Sequence, residues 1–177
     1  MEDPYYESVD SYDEDDPKKD RRQLDACTLD RPVRTLPLRK PICLETSAKV
    51  KEAIELMRAN KTGSVLVTRN GRLAGIFTER DILNRMALGE VDPSQATLEE
   101  VMRSNPEVLS PEAPMAYALN LMSVGGFRHV PLVDEEGRAV AVVSVRDIVD
   151  CLVDHFPDKV LNLPPTGPHF PGSREGA

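Results

Sequence analysis

Two short segments of the chain place a hydroxyl residue three positions before an aspartate, with an arginine between them. A hydroxyl at the start of a helix can contact a phosphate, and the helix dipole and the unpaired backbone N–H groups there also favour an anion. An aspartate one turn further on can accept hydrogen bonds from both hydroxyls of a ribose. The residues are Thr78, Arg80 and Asp81 in the first segment, and Ser144, Arg146 and Asp147 in the second.

The same residues also have a simpler structural interpretation. Thr78 can act as an N-cap, and Asp81 is a favourable acid in the first turn of a helix. The pair recurs with its arginine in the second segment, and this recurrence favours a ligand site over a purely structural role.

Both segments belong to an internal repeat. Residues 41–70 align with residues 106–135, and after one additional residue in the following turn residues 71–83 align with residues 137–149. Two copies of one small unit favour a body with a pseudo-twofold axis and two equivalent clefts. Identical positions include Pro41/Pro106, Ala53/Ala118, Val65/Val130 and Gly71/Gly137.

Each copy has the pattern of a strand–helix–strand–strand–helix unit, which makes the predicted fold α+β. Asn70-Gly71 favours a tight hairpin turn between the two later strands. One such unit would be marginal alone, so the two are expected to share a core. The first copy is predicted to have strands at 42–44, 64–68 and 73–78 and helices at 47–60 and 79–88, with Ser47 as a possible N-cap. The second is predicted to have strands at 108–109, 129–133 and 139–144 and helices at 112–124 and 145–155. Short lead-ins at 33–36 and 98–102 precede the copies.

Charge and composition exclude several classes of protein. The net charge is −8, and the first 20 residues hold nine acidic residues and two lysines, so the rest of the chain is close to neutral. A body without a basic face is not expected to bind nucleic acid. No apolar run approaches the length of a membrane span, and the N-terminus lacks the pattern of a signal peptide, so a cytoplasmic protein without membrane contact is expected. Cys43 and Cys151 lie in apolar runs and are expected to be buried, reduced thiols.

The composition divides the chain into four parts. Residues 1–23 are predicted to form a disordered acidic tail, with a docking segment for a basic partner as the alternative. The repeats are placed at 24–90 and 91–158. Residues 159–177 are rich in Pro and Gly and are predicted to be a second disordered tail.

At the strand-to-helix corner the sequence resembles a known family. The segment from Gly75 to Asp81, Gly-Ile-Phe-Thr-Glu-Arg-Asp, is similar to the signature of cystathionine-β-synthase (CBS) domains. The segment from Arg128 to Asp134 is similar to the strand that precedes this signature. A tandem pair of such domains, called a Bateman module, has two βαββα units about a pseudo-twofold axis. The resemblance implies two clefts that bind adenosyl ligands such as AMP, ADP, ATP or S-adenosylmethionine.

The resemblance also implies roles for individual residues. Asp81 and Asp147 would hold ribose hydroxyls, Thr78 and Ser144 would reach phosphate, and a basic residue at 128 or 129 would face phosphate across the axis. The first cleft would comprise Ile42, Thr62, Gly63, Thr78, Arg80 and Asp81. The second would comprise Met102, Glu107, Phe127, Arg128, His129, Ser144, Arg146 and Asp147.

The two copies depart from the family pattern in different ways. Ala141 replaces the signature glycine, so the second corner is expected to approach a ligand less closely. Gly63-Ser64 replaces the Arg-His pair of the second copy. Unequal sites are therefore expected, with the Thr78 cleft the better equipped unless Arg128 serves the other.

No residues form a recognisable catalytic or metal-binding set. The spacing of the three histidines matches neither a metal site nor a catalytic triad, so we expect no enzymatic activity, metal or obligatory cofactor. The leading hypothesis is a regulatory homodimer that senses an adenosyl ligand and signals to an unidentified protein partner. The alternative is a dimeric interaction scaffold that binds no ligand.

Overall fold

The predicted repeat is visible in the order of helices and strands. The computed structural model describes residues 26–86, 89 and 91–155. The predicted disordered tails, 1–23 and 159–177, lie outside these residues. The helices are α1 (Ala26–Asp30), α2 (Val50–Asn60), α3 (Glu79–Met86), α4 (Leu98–Val101), α5 (Met115–Val124) and α6 (Val145–His155), with a 3₁₀ turn at Val33–Thr35. The strands are β1 (Cys43–Glu45), β2 (Ser64–Arg69), β3 (Arg72–Thr78), β4 (Arg103–Ser104), β5 (His129–Val133) and β6 (Ala139–Ser144). The mixed α+β fold is confirmed.

Each repeat is built around an antiparallel hairpin. In the first repeat β2 pairs with β3, and β1 lies parallel to β2 on its other side. The hairpin turn has Asn70 at φ 54° and Gly71 at φ 77°. Asn and Gly tolerate this left-handed conformation best, so the predicted tight turn is confirmed. In the second repeat β5 and β6 form the equivalent hairpin.

The lead-in segment of each repeat packs on the other repeat. The Leu98 N–H donates to the Ala48 carbonyl at 2.9 Å, and at the equivalent positions the Val33 N–H donates to the Ala113 carbonyl at 2.8 Å. Strand β4 follows the second lead-in and pairs with β3 of the first repeat. The two repeats are therefore joined by a nearly symmetrical exchange of chain segments.

Burial of apolar side chains follows the same exchange. Val33 and Leu36 lie in one core with the second repeat, whereas Leu98 and Val101 lie in the core of the first. Because each core takes residues from both sides of position 90, a boundary there stays a prediction. Other members of the two cores are Met115, Ala118, Val130 and Val143 in the second repeat, and Val50, Ala53, Val65 and Phe77 in the first.

A proline makes the first strand of the second repeat shorter than predicted. In the first repeat the Leu66 N–H donates to the Ile42 carbonyl at 2.8 Å. Pro131 occupies the position equivalent to Leu66 and has no N–H to donate to Glu107. The predicted strand at 108–109 is consequently reduced to one bridge between Leu109 and Leu132, and that prediction is wrong.

The glycine of the first corner has a different purpose from the one expected. A Cβ added to Gly75 would lie 2.5 Å from Met102 Sδ and 2.9 Å from the Arg103 carbonyl oxygen. The glycine therefore admits the exchanged strand β4. In the sequence alignment of the two repeats, Pro37 corresponds to Met102 and Ala141 corresponds to Gly75.

Two local predictions are wrong. Helix α2 is capped at Lys49 without a side-chain hydrogen bond, so Ser47 is not its N-cap. The exchanged lead-in explains this, because the Val50 and Lys51 N–H groups donate to carbonyls at Ala96 and Pro93. The second wrong prediction is the burial of Cys43, which is exposed; Cys151 is half-buried.

Candidate ligand-binding cleft

The corner between β3 and α3 is held by a compact set of hydrogen bonds. The Thr78 N–H and hydroxyl both donate to Asp81 Oδ2, at 2.9 and 2.7 Å. The Glu79 N–H donates to the Gly63 carbonyl at 3.1 Å. Two backbone N–H groups at the start of the helix are thus satisfied within the protein, contrary to the expectation that they point outward to an anion.

The second corner repeats this geometry. The Ser144 N–H and hydroxyl donate to Asp147 Oδ2 at 2.6 and 2.7 Å. The Val145 N–H donates to the Arg128 carbonyl at 3.1 Å. The hydroxyl–aspartate pair therefore hydrogen-bonds within itself at both corners, and at the second corner the Asp147 N–H also donates to the Ser144 hydroxyl oxygen at 3.4 Å, as the structural interpretation predicts. Only the other carboxylate oxygen, Oδ1, is left to meet a ligand.

At the first corner this remaining oxygen faces an arginine. Asp81 is 8% exposed, and its Oδ1 lies 3.8 Å from an Arg103 guanidinium nitrogen. Arg103 comes from the exchanged strand β4, which the sequence did not reveal. A ribose that approached Asp81 Oδ1 from the cavity would therefore compete with Arg103 for this oxygen.

A cavity lies beside this corner, between the two repeats. The first repeat contributes the end of its hairpin and the start of α3. The second contributes its exchanged strand, the segment that follows it and the loop before β5. The lining residues are Gly63, Ile76, Thr78, Glu79, Arg80, Arg103, Pro106, Glu107, Gly126, Phe127, Arg128 and His129.

The cavity combines residues that the sequence analysis assigned to different clefts. From the predicted first cleft it includes Gly63, Thr78 and Arg80; from the predicted second it includes Glu107, Phe127, Arg128 and His129. The physical reason is the exchange of lead-ins, which brings the chain after β4 against the first corner. The ligand-binding role of these residues stays a prediction.

The remaining predicted site residues do not line this cavity. Met102 is 9% exposed and lies in the first core, and Arg146 lies on the surface 3.8 Å from Asp150. Asp81 lies 3.8 Å from Arg103, which does line the cavity. The full set outside the lining is Ile42, Thr62, Asp81, Met102, Ser144, Arg146 and Asp147.

Arginine side chains supply the positive charge of the cavity. The Arg103 guanidinium carbon lies 5.9 Å from the centre of the Phe127 ring, within the range of a cation–π contact. Arg80 donates a long 3.5 Å hydrogen bond to the Gly126 carbonyl, and Arg128 is exposed at the mouth. With Arg103 in this position the cavity encloses about 70 Å³, less than an adenosyl group requires.

His129 contributes a largely neutral imidazole. Burial lowers the pKa of His129 from its ordinary value of 6.5; Glu79 and Asp147 oppose that shift, and Arg128 adds to it. A Cβ on Gly63 would lie 3.1 Å from both the His129 ring and the Glu79 carboxylate, so the repeats touch at this point. The arginines therefore provide charge for an anion at neutral pH, and His129 provides hydrogen bonding.

Sequence reasoning missed several lining residues. Ile76 and Glu79 stood inside the corner motif but were given no role, although their neighbours were. Arg103 belongs to a strand of only two residues and Pro106 follows it closely, and such a strand is too short to produce an alternating pattern. Gly126 was not singled out either. The basic residue next to Met102 was the available signal.

The fold and the cavity define the class of this protein: two βαββα repeats that exchange their lead-ins around a charged cleft. The chain belongs to the CBS domain family, whose sequence model matches residues 33–88 and 98–154. The resemblance predicted from the corner motif is thereby confirmed.

Similar proteins occur among both sequences and structures. The CBS domain-containing protein CBSCBSPB3 of Arabidopsis thaliana is 35% identical over 107 residues, which are 60% of this chain and 19% of that protein. The chain thus spans about a fifth of that relative. The CBS domain protein PAE2072 from Pyrobaculum aerophilum, complexed with AMP, is 26% identical with a TM-score of 0.61, and the match covers 70% of this chain and 98% of that one. The CBS domain pair of protein MJ0100, in complex with 5′-methylthioadenosine and S-adenosyl-L-methionine, is 26% identical with a TM-score of 0.61, over 68% and 98% of the chains.

The part of the chain that the structure describes has neither a metal-binding cluster nor a membrane-spanning helix. There, no cluster of three or more His, Cys, Asp or Glu side chains could hold a metal ion. Within the same residues, none of the helices has the length and apolar character required to cross a bilayer.

Proposed function

We propose that the chain is a regulatory module that binds an adenosyl ligand in the cleft beside Thr78. The observation that carries the proposal is the composition of this cleft, in which a hydroxyl–aspartate corner of one repeat meets Phe127 and Arg128 of the other. An aromatic ring can stack on adenine, and arginines can pair with phosphate. The AMP complex and the methylthioadenosine complex of the two similar structures support this choice of ligand class.

The proposed mechanism is a change in how the two repeats sit against each other. The cleft is lined by both repeats, so a ligand that fills it contacts both at once. A ligand shifts a conformational equilibrium only by its difference in affinity for the two arrangements. The ligand would therefore favour the arrangement in which Arg103 has left Asp81, and a partner protein would recognise that arrangement.

The internal repeat provides a matched pair of variants to test ligand binding. Asp81→Asn and Asp147→Asn remove the same charge from equivalent caps, but of the two only Asp81 forms an ion pair with an arginine that lines the cavity, according to the contacts of the described residues. Charge-assisted hydrogen bonds to the ribose should be lost in the first variant alone. We expect its affinity for AMP to fall about tenfold or more, and that of Asp147→Asn to change less than about twofold. Isothermal titration calorimetry measures both.

The control is the stability of each variant. Urea denaturation should show similar losses for the two substitutions, because both aspartates accept two hydrogen bonds in the same cap. Equal losses of AMP affinity in the two variants would contradict the assignment of the ligand to this cleft. No binding of adenosine, AMP, ADP, ATP or S-adenosylmethionine at millimolar concentration would contradict the function itself.

A second candidate function is a ligand-free dimeric scaffold. It is favoured by the small volume of the cavity and by exposed apolar residues at equivalent positions of α3 and α6. Leu83 is 68% exposed, and its counterpart Val149 is 47% exposed. A homodimer through these helices is consistent with either function, and sedimentation equilibrium of Leu83→Asp against wild type tests it. A cytoplasmic location and the existence of a protein effector stay predictions.

A further inference from the structure

Arg103 occupies the place where a ligand is expected. Its guanidinium group lies 3.8 Å from Asp81 Oδ1 on one side and 5.9 Å from the centre of the Phe127 ring on the other. The side chain is 41% exposed, whereas that of Asp81 is 11% exposed. Arg103 thus contacts the proposed ribose acceptor and the proposed aromatic wall at the same time.

An adenosyl ligand must compete with Arg103 for both partners. Asp81 Oδ2 already accepts hydrogen bonds from the Thr78 N–H and hydroxyl, so a ribose can approach only Oδ1. Stacking on Phe127 would displace the guanidinium from the ring. A bound ligand therefore separates Arg103 from its carboxylate, and a partly desolvated charge that loses its partner is unfavourable.

The charges around the cavity determine what can replace that carboxylate. Three arginines, Arg80, Arg103 and Arg128, line the cavity with two glutamates, Glu79 and Glu107. Once a ribose has bound to Asp81, the three guanidinium groups have only the two glutamate carboxylates of the lining to balance their charge. A phosphate on the ligand would supply the missing anion through charge-assisted hydrogen bonds.

We propose that Arg103 makes this cleft selective for adenosyl ligands that carry a phosphate, an inference that rests on the proposed function. A neutral nucleoside would displace Arg103 from Asp81 but has no anionic group to pair with its guanidinium. S-adenosylmethionine brings a sulfonium and an ammonium group against one carboxylate, which adds repulsion from the arginines. Nucleoside phosphates are thus the ligand class that the cleft accepts.

The other corner provides the matched control. Arg39 pairs opposite Val142 as Arg103 pairs opposite Ile76, so the two arginines hold the same position in the sheet. Of the two, only Arg103 forms an ion pair with the aspartate of its corner, according to the contacts of residues 26–86 and 91–155. Arg39→Met consequently removes an equivalent charge without touching the cavity.

The experiment is calorimetric titration of the full chain with AMP, adenosine and S-adenosylmethionine. Wild type is expected to bind AMP at least about tenfold more tightly than adenosine. In Arg103→Met the affinity for AMP should fall and that for adenosine should rise, so that the ratio approaches one. Arg103→Lys, which keeps the charge, should retain part of the preference. Arg39→Met should behave as wild type.

The possible results separate the inference from the function on which it rests. Equal affinity of wild type for AMP and adenosine, or an unchanged ratio in Arg103→Met, overturns the role of Arg103 while ligand binding stands. Failure of wild type and all three variants to bind any of the compounds overturns both. Circular dichroism of each variant establishes that it is folded, and Arg103→Lys provides a second test if Arg103→Met is not.

Discussion

The two strand-to-helix corners share one capping geometry but differ in what surrounds it. At both corners an aspartate Oδ2 accepts hydrogen bonds from the N–H and hydroxyl of the residue three positions earlier. Asp81 is buried against Arg103, whereas Asp147 is half-buried. The local motif therefore fixes the cap, and the segment that arrives from the other repeat decides what lies next to the remaining oxygen.

The lead-ins differ in path as well as in residues. The Leu38 N–H donates to the Leu36 carbonyl at 2.8 Å, a tight turn that shifts the first lead-in by one residue relative to the second. This shift places Arg39, not Leu38, opposite Val142. A pocket between repeats thus depends on how two distant segments meet, even when the repeats themselves align well.

The largest loss of stability should come from truncating the buried side chains of the two lead-ins. Leu98 and Val33 are equivalent, fully buried residues, each in the core of the opposite repeat. Leu98→Ala should lower the free energy of unfolding by about 2–5 kcal/mol because it leaves a cavity, and Val33→Ala by roughly 2 kcal/mol because it removes less. Urea denaturation measures both values.

Hydrogen exchange of backbone amides can show which repeat is destabilised by each substitution. Leu98→Ala should accelerate exchange most in β2 and β3, and Val33→Ala most in β5 and β6. The reverse pattern would contradict the exchange of lead-ins.

A smaller loss of stability is expected when the glycine of the first corner and the alanine of the second are exchanged for each other. Gly75→Ala would force a Cβ against Met102 and the backbone of Arg103, with an expected loss of about 1–3 kcal/mol. Ala141→Gly mainly loosens a strand, with an expected loss of about 0.5–1 kcal/mol. Equal losses in urea denaturation would show that the contact with β4 does not explain Gly75.

The smallest effect should be a pH dependence of stability at the contact between the repeats, where the His129 ring lies beside Gly63. Since burial lowers the pKa of folded His129, the unfolded chain binds its proton at higher pH. The stabilisation is fully present above the unfolded pKa, near 6.5, and is lost as the pH falls from there toward the folded pKa.

A comparison of urea midpoints between pH 5 and 8 for wild type and His129→Gln isolates this contribution. The difference between the two proteins should narrow or reverse on the acid side. A difference that stays constant across the range would argue against a lowered pKa.

Much of the fold could be predicted because its signals are local. The hairpin at Asn70-Gly71, the strand β5 and the helix α6 follow from turn chemistry and apolar spacing, and the predicted strand 129–133 matches β5. Two predictions are wrong because they depend on hydrogen bonds to residues far away in the sequence. The start of α2 donates to carbonyls at positions 93 and 96, so Ser47 is not needed as a cap, and the strand at 108–109 is shortened because Pro131 has no N–H to donate to it. Propensity contains no information about such partners.

The features of the candidate site likewise divide into those encoded locally and those that depend on long-range packing. The sequence by itself determined that a hydroxyl and an aspartate recur at two helix starts, and that the chain contains a CBS domain pair. Only the tertiary structure decided that Arg103 lies between Asp81 and Phe127 and that one cavity draws residues from both repeats. A cap forms between residues three positions apart and is encoded locally, whereas a pocket depends on the long-range packing of segments that one linear motif does not contain.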